Sequence, residues 1–564
     1  MKKIYRNGLL MLAAGALTVS CAKYDITDDF TAQPDPNYQE PYKDYAPVKT
    51  YIDRNKYANM TLGATLMAAE FNKQELAHAA AVTNFDNYAF GSSLMSGTII
   101  NEKGAMNFLD MKDLLDHVEE IGGEVFGSPI AANTNQADGW LSTLTAPIEI
   151  NVKTIKDKEI DFTTMDEYTC AYEKDRATAT PVPPEIVKNF DANGNALKCT
   201  KRTRYKLVDG FDVDPTGSYT ITLYVFTEKT NSLDCTFADS LVKEKEKDKD
   251  GKTFPLNKGE WTRVVVEAKP SKNATSGYFQ IGGFVNDVIY IRSVSIVHTP
   301  ENQRPQTAQE KSDTLNYAFN AWCDSLMNIN KGRITSFDLI DEPIDVKATL
   351  ENGYYDLKHS ETGMFWQDVF GSENYAPTVS RVASEAYQKY EGDASKLRFF
   401  ISESGLDERK KFESLKYWIG LWDGKGAKID GINAKLDLTY SEDDTKQAAN
   451  EVSFNKLLDN LASTGKMVRL SNFDIKYQDA SGANVTAKKI TDEQRQRLAD
   501  YYGHVIKSYM TKIPQDKQAG ICKGNMADTT DPVGLWTVVK GKDEVKDWVR
   551  NATYKAFCDA LSGK

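Results

Sequence analysis

Short apolar runs alternate with helix-like stretches at both ends of the chain. Near the N-terminus, apolar runs at 61–69, 88–94 and 124–130 are separated by helical spacing at 73–82 and 111–123. The alternation resumes further on, and there we predict helices at 306–328, 378–389 and 412–421 and strands at 333–340, 397–402, 430–438, 467–475 and 519–523. Strands that alternate with helices form βαβ units and a parallel sheet. About eight such repeats predict an α/β fold of the (β/α)8 barrel type.

The pattern changes between residues 141 and 300. Helical periodicity is scarce there, and short segments of alternating apolar and polar residues take its place at 219–225, 261–266, 278–281 and 288–291. Alternation with a period of two is typical of an antiparallel sandwich. We therefore predict a jelly-roll-like all-β domain at 141–300, inserted into a barrel formed by 56–140 and 301–564.

The first residues have the pattern of an export signal. Three basic residues precede an apolar stretch at 9–19, which is too short to span a bilayer. The sequence LTVSC, which ends at Cys21, resembles a bacterial lipobox, in which the cysteine carries the lipid. The alternative is an ordinary secretory signal with a chance cysteine. We expect a lipoprotein signal at 1–21, a proline-containing linker at 22–55, and a surface-exposed protein anchored to the outer membrane.

Composition and charge narrow the range of partners. Hydrophobic residues make up 41% of the chain and charged residues 27%, as in ordinary globular proteins. A formal net charge of −12 argues against nucleic acid and is compatible with a neutral sugar. The cysteines after Cys21 lack metal-site spacing, so we expect no metal and no cofactor. An oxidising envelope permits a disulfide, such as one between Cys170 and Cys199.

Several predicted strand ends carry a family resemblance. In a (β/α)8 barrel the reactive groups lie at the carboxyl ends of the strands. Five segments resemble, in the right order, those of glycoside hydrolase family 10, the xylanase family: FDLIDE at 337–342, KLRFFISE at 396–403, AKIDGI at 427–432, VRLSNFDI at 468–475 and YKAFCDAL at 554–561. The resemblance implies a barrel with Glu342 at the general acid/base position. It puts Asn472 at the position of the nucleophile.

The departures from the family pattern concern its chemistry. A retaining glycosidase needs two carboxyl groups about 5 Å apart, and the amide of Asn472 cannot form the glycosyl ester. Loss of a nucleophile costs roughly 10⁴–10⁶ in rate. The family's sugar-binding residues are also replaced, which suggests a degenerate active site. We expect the substitutes to contact substrate at the barrel mouth: Asn133, Asp341, Glu403, Lys435 and Asp437. Asp341, Glu342, Glu403, Asp437 and Asp474 could together support an altered hydrolase chemistry. The alternative is that Asp474 is structural and that Asp437 pairs with Lys435.

The inserted region resembles the β-sandwich carbohydrate-binding modules found with xylanases. The resemblance lies in GEWTRV at 259–264 and DVIYIRSVSI at 287–296. Aromatic rings bind the apolar face of a pyranose, so Tyr219 and Tyr278 are candidate sugar contacts. Further aromatic candidates are Tyr224, Phe226, Phe279 and Tyr290. Core packing is the alternative for each of them, and we assign Trp261 to the core.

Two functions remain open. In the first, the chain is a cell-surface polysaccharide-binding lipoprotein that captures xylan-like plant glycans and cuts them weakly or not at all. In the second, it is an active endo-β-1,4-xylanase-like hydrolase. Asn472 favours the first. The expected partners are a polysaccharide or oligosaccharide, the membrane through a lipid anchor, and other outer-membrane proteins of glycan uptake.

Overall fold

The computed structural model describes residues 42–238, 240–241, 254–360, 364–540 and 546–564. They form two compact units, one from the described residues up to Thr145 and from Ala308 onward, the other from Ala146–Thr307. The predicted signal, the lipidation site Cys21 and the linker up to residue 41 lie outside the described residues. No helix in the described part of the chain is long and apolar enough to cross a membrane.

The first unit is a (β/α)8 barrel. Its eight parallel strands close in sequence order, because the fifth pairs with the fourth as well as with the sixth. The strands are β1 Thr61–Thr65, β2 Asn87–Ala89, β3 Glu124–Gly127, β4 Ser336–Asp341, β5 Arg398–Ser404, β6 Gly431–Lys435, β7 Met467–Ser471 and β8 Gln518–Lys523. The two-residue strand Ala131–Ala132 also pairs with the end of β4.

Eight main helices accompany these strands: α1 Leu76–Asn84, α2 Leu109–Glu120, α3 Ala308–Asn330, α4 Tyr375–Lys389, α5 Arg409–Gly424, α6 Asp444–Ala462, α7 Asp492–Lys512 and α8 Ala552–Leu561. Several begin at side chains that accept from the free amides of the first turn. Thr491 and Gln494 form a capping box at the start of α7, and Asp443 caps α6. The remaining helical turns are short, as at Ala68–Asn72, Ser96–Ile99, Asp138–Leu144 and Trp366–Phe370.

Apolar side chains fill two parts of the barrel. The large core lies between strands and helices and includes Val468 and Leu470 of β7. A separate small cluster joins Phe126, Phe400, Met467 and Ala519 from four different strands, so it lies inside the barrel. Side chains alternate along a strand. Those of β7 that do not pack against the helices therefore point into the barrel interior.

The prediction that 42–55 belong to a linker is wrong. Val48 is fully buried, and its amide donates to the side-chain oxygen of Asn84. The hydroxyl of Tyr45 bonds Asp559 of α8 at 3.2 Å. Apolar and aromatic side chains in this segment pack on the barrel, which the prolines around them obscured in the sequence.

The second unit is an all-β sandwich inserted between β3 and β4. One antiparallel sheet contains Ala171–Lys174, Thr203–Asp212, Asn231–Phe237, Ser240–Leu241, Phe254–Leu256 and Ser276–Gly282. The other contains Ile155–Asp161, Glu185–Asp191, Gly194–Thr200, Ser218–Thr227, Trp261–Ala268 and Val288–Thr299. A single core of apolar residues lies between the sheets. The predicted start at residue 141 falls within the helix Asp138–Leu144, which contacts α3 of the barrel.

Candidate active site

A cleft of about 250 Å³ opens at the carboxyl ends of the barrel strands. Its walls include Asp341 after β4, Lys435 at the end of β6, and Ser471 and Asn472 at the end of β7. Phe90, Phe126, Met95 and Pro129 add apolar surface. The cleft thus combines hydrogen-bonding groups with apolar faces, as sugar sites do.

Glu342 is the first residue after β4, next to the cleft-lining Asp341. Its φ of 43° lies in the left-handed region, which is costly for a residue with a side chain of this size. Its amide donates to the carbonyl of Ser402 on the neighbouring β5 at 2.8 Å. The bond fixes the turn, and the carboxyl group stays partly accessible, with 34% of the side chain exposed.

Two lysines face the carboxylate of Glu342. Nζ of Lys435 lies 3.6 Å from Oε1, and Nζ of Lys358 lies 3.8 Å from Oε2. Partial burial raises the pKa of Glu342, but the attraction of the two ammonium groups outweighs it and leaves the pKa below its ordinary value. Glu342 is therefore ionised at neutral pH.

Asn472 lies at the corresponding place after β7. Its φ is 51°, a conformation that asparagine tolerates better than most residues, and its exposed side chain lines the cleft. Asp474, two residues on, accepts from Nζ of Lys523, from the amide of Asn525 at 3.1 Å and from Nδ2 of Asn525 at 2.6 Å. These contacts fit the structural role expected for Asp474.

Asp341 and Lys435 form the centre of the cleft wall. Oδ1 of Asp341 accepts from Nζ of Lys435 at 2.5 Å and from Oγ of Ser402 at 2.5 Å. The ammonium of Lys435 thus bridges Asp341 and Glu342. Its expected partner Asp437 instead lies 3.1 Å from Lys476, with 84% of its side chain exposed, so that interpretation of the sequence is wrong.

Two further candidates do not reach the cleft as expected. Glu403 is fully buried, with Oε1 2.8 Å from Nζ of Lys411 and Oε2 accepting from the amide of Ile344 at 3.2 Å. It cannot contact a sugar, so its assignment to substrate binding is wrong. Asn133 follows the strand that pairs with the end of β4, but its enclosed amide has no hydrogen-bond partner among the described residues.

The floor of the cleft was missed by the sequence analysis. Asp338 and Arg469 are 7% and 2% exposed, and Asn433 lies between them. Nδ2 of Asn433 donates to both carboxylate oxygens of Asp338 at 3.1 and 3.0 Å. Burial and the neighbouring Asp341 raise the pKa of Asp338 to about 7. A charged residue within a short apolar strand is the signal that could have identified this inward-facing group.

In the sandwich, the candidate sugar contacts are divided between core and surface. Tyr219 is buried in the core, where its hydroxyl accepts from the amide of Asp214 at 2.8 Å, so it is not a sugar contact. Tyr278 is half-buried beneath the ammonium of Lys206, 4.5 Å from the ring centroid. Trp261 is not part of the sandwich core, and its assignment there is wrong.

Trp261 instead belongs to an aromatic group on the outer side of the second sheet. Phe226 and Tyr290 alternate with fully buried residues and so face away from the core. We call the outward-facing side chains the aromatic face: Phe190, Tyr224, Phe226, Trp261 and Tyr290. Asp191 holds it in place by accepting from Nε1 of Trp261 at 2.9 Å and from Arg292 at 2.7 Å.

Part of the barrel sequence matches a known protein family. Residues 296–531, which include β4 to β8, match the sequence model of glycosyl hydrolase family 10. This part of the barrel is therefore similar to glycosyl hydrolase family 10. The matched range contains Asp341, Lys435 and Asn472, which line the cleft, and also Glu342, which follows Asp341. No curated protein sequence is significantly similar to the chain.

Solved structures of xylanases resemble this chain at low sequence identity. Xylanase B from Clostridium stercorarium F9 is 11% identical, with a TM-score of 0.49 over 91% of this chain and 100% of that one. An endoxylanase from a sugarcane soil metagenome is 9% identical, with a TM-score of 0.49 over 92% and 100%. The endo-1,4-beta-xylanase XylE of Penicillium canescens is 12% identical, with a TM-score of 0.47 over 92% and 98%. The similarity to the family rests on the matched residues 296–531.

Proposed function

We propose that this protein binds a polysaccharide at the cell surface and cuts it weakly or not at all. One observation carries the proposal. Lys435 holds Glu342 in its charged form, while the residue after β7 is the amide Asn472.

Each of these features removes one half of the hydrolytic chemistry. A retaining glycosidase needs a nucleophilic carboxylate and a carboxylic acid that protonates the leaving group. Asn472 offers no carboxylate. A general acid requires a raised pKa, whereas the lysines near Glu342 lower it. The two deficits have separate causes, so restoring one group alone does not restore hydrolysis.

The cleft contains groups that can bind a sugar. Ser92, Ser471 and Asn472 can exchange hydrogen bonds with hydroxyl groups, and Phe90 and Phe126 offer apolar surface. Its volume of about 250 Å³ is slightly below the usual range for ligand sites, roughly 300–1,000 Å³. We infer that it binds a single sugar residue or chain end rather than a long stretch of polymer.

The aromatic face of the sandwich is the second proposed glycan contact. Rings on the outside of a sheet stack against pyranose rings, and the nearby Asp191 and Arg292 can bond hydroxyl groups. Tyr224 is its most accessible ring, with 37% of the residue exposed. We propose that this face gives the affinity for the polymer.

The cellular setting is proposed from the sequence alone. A lipid on Cys21 would anchor the chain to the outer membrane, and surface exposure would give it access to xylan-like polysaccharides. Other outer-membrane proteins of glycan uptake are its proposed neighbours.

Electrophoresis in gels that contain dissolved xylan tests the binding proposal. We expect retardation of the wild-type protein and weaker retardation of Tyr224→Ala. Tyr172→Ala is the matched control, because Tyr172 is also exposed, at 43%, but lies on the other sheet. Equal mobility of wild type with and without polysaccharide would contradict binding, and equal losses in both variants would contradict the role of the aromatic face.

A further inference from the structure

A buried arginine forms part of the cleft and lacks the partners that such a group needs. Arg469 is 2% exposed in the middle of β7 and lines the cleft. Its guanidinium carbon lies 3.9 Å from the centroid of the Phe126 ring, and Nη1 lies 3.5 Å from Oδ1 of Asn433. The guanidinium group is thus in contact with an aromatic ring and, through Nη1, with an amide oxygen.

The opposite edge of the guanidinium is unsatisfied. Nε and Nη2 find no acceptor among the described residues, although both atoms are buried. A buried charge without partners is strongly unfavourable, so native structures pair such groups with protein, water or ligand. Because Nε and Nη2 lie along one side of the planar group, they can donate two parallel hydrogen bonds to one acceptor. A carboxylate matches that geometry.

The other charged groups of the cleft do not satisfy this edge. Lys435 is occupied by Asp341 and Glu342, so its positive charge is already balanced. Asp338 shares the cleft floor and is attracted by the charge of Arg469, but its hydrogen bonds go to Asn433, and its raised pKa leaves it largely uncharged below neutral pH. Arg469 is therefore the cation that remains for an anionic ligand.

We propose that the cleft binds glycans that carry uronic acid residues, with the uronate carboxylate on the Nε–Nη2 edge of Arg469. This inference rests on the proposed function and specifies its substrate class. It departs from the neutral sugar that the net charge of −12 suggests. Repulsion by distant surface charges is largely screened beyond about 8 Å at physiological salt, so contacts within the cleft decide the preference.

A series of three ligands tests the proposal on the wild-type protein. The probes are an unsubstituted xylo-oligosaccharide, the same oligosaccharide with one glucuronic acid side group, and that compound after reduction of its carboxyl group to the alcohol. Titration calorimetry should show about tenfold tighter binding of the acid, since hydrogen bonds to charged groups are the stronger ones. The reduced compound should bind like the neutral one.

Variants of Arg469 test whether this residue causes the preference for the acid. Arg469→Met should remove the preference, so that the acid and the neutral oligosaccharide bind with equal affinity, and Arg469→Lys should keep only part of the preference. The control is Arg381→Met, whose side chain is exposed on α4 and pairs with Glu385. If Arg469→Met does not fold, the ligand series alone decides.

The outcomes separate the two proposals. Equal affinity for all three ligands, or a preference that survives in Arg469→Met, overturns the uronate inference and leaves glycan binding intact. Absence of binding to every ligand overturns the proposed function, and the inference with it.

Discussion

Nζ of Lys435 lies 3.6 Å from Oε1 of Glu342. The lysine belongs to β6 and the glutamate follows β4, so the ammonium reaches across β5 to the far side of the cleft wall. There it also bonds Asp341. This contact helps to keep the carboxyl group of Glu342 ionised.

The first prediction concerns the pKa of Glu342. Lys435→Gln removes a positive charge next to the carboxylate, so the pKa of Glu342 should rise, which carboxyl ¹³C NMR titration would measure. Lys428→Gln is the control, because Lys428 pairs with Asp430 at 2.9 Å instead. An unchanged titration of Glu342 in Lys435→Gln would show that Lys435 does not set its charge.

The second prediction is a gain of hydrolysis. Asn472→Glu supplies a nucleophile, and Lys435→Gln returns a proton to Glu342, so the double variant should release reducing sugar from xylan. We expect it to be about tenfold or more faster than Asn472→Glu alone, because each unit of pKa changes the protonated fraction tenfold. A glutamate after β7 must adopt the φ of 51° found at Asn472, and Glu342 already adopts 43° in this barrel.

Equal rates of hydrolysis in Asn472→Glu and in the double variant would show that the charge of Glu342 does not limit hydrolysis. The Glu342→Gln change in the double-variant background should abolish any hydrolysis that is gained.

The third prediction links Asp338 to stability. Its pKa of about 7 exceeds the unfolded value, roughly 3.9, so the folded state binds the extra proton between these limits. The free energy of unfolding should therefore fall as the pH rises from 5 to 8. In Asp338→Asn, this decrease in the free energy of unfolding should be smaller by on the order of 2 kcal/mol. Urea titrations at pH 5 and pH 8 would measure it.

Asp437→Asn is the control for this experiment, because Asp437 is largely exposed. The account of Asp338 fails if both variants follow the wild-type pH dependence.

The fourth prediction separates structure from binding at Glu403. Its ion pair with Lys411 is buried, and Lys411→Met leaves the carboxylate without its partner. We expect a loss of about 3 kcal/mol in the free energy of unfolding, with glycan binding retained. Arg381→Met breaks an exposed pair and should cost less than about 1 kcal/mol. If the variant instead lost more free energy of glycan binding than free energy of unfolding, Glu403 would have to be part of the substrate site.

The sequence was sufficient for the barrel because its strands are short apolar runs between amphipathic helices. The segments of β4, β6 and β7 also placed Asp341, Lys435 and Asn472 around one cleft. Strand order fixes which ends meet, so motifs at those ends can be assigned without coordinates.

Side-chain partners could not be predicted in the same way. Lys358 meets Glu342 because the hairpin of Ile344–Thr349 and Tyr355–Leu357 folds back, and the amide of Lys358 donates to the carbonyl of Pro343 at 2.8 Å. The local sequence does not predict that the chain folds back in this way.

The assignments of Glu403 and Tyr219 as sugar contacts were wrong for a related reason. Residues that alternate along a strand share a face, but the sequence does not say which face is covered. Glu403 lies on the covered side of β5, and Tyr219 points into the sandwich while Tyr224 and Phe226 point out.

The most direct test of the central claim measures binding and cleavage in the same samples. The wild-type protein at high concentration is incubated with xylan and with glucuronic-acid-substituted xylan, and reducing ends are counted while binding is followed by gel retardation. The account predicts retardation with at most a trace more reducing ends than the Glu342→Gln variant produces. Extensive, continuing release of reducing ends that disappears in Glu342→Gln would contradict it and identify the protein as an active hydrolase.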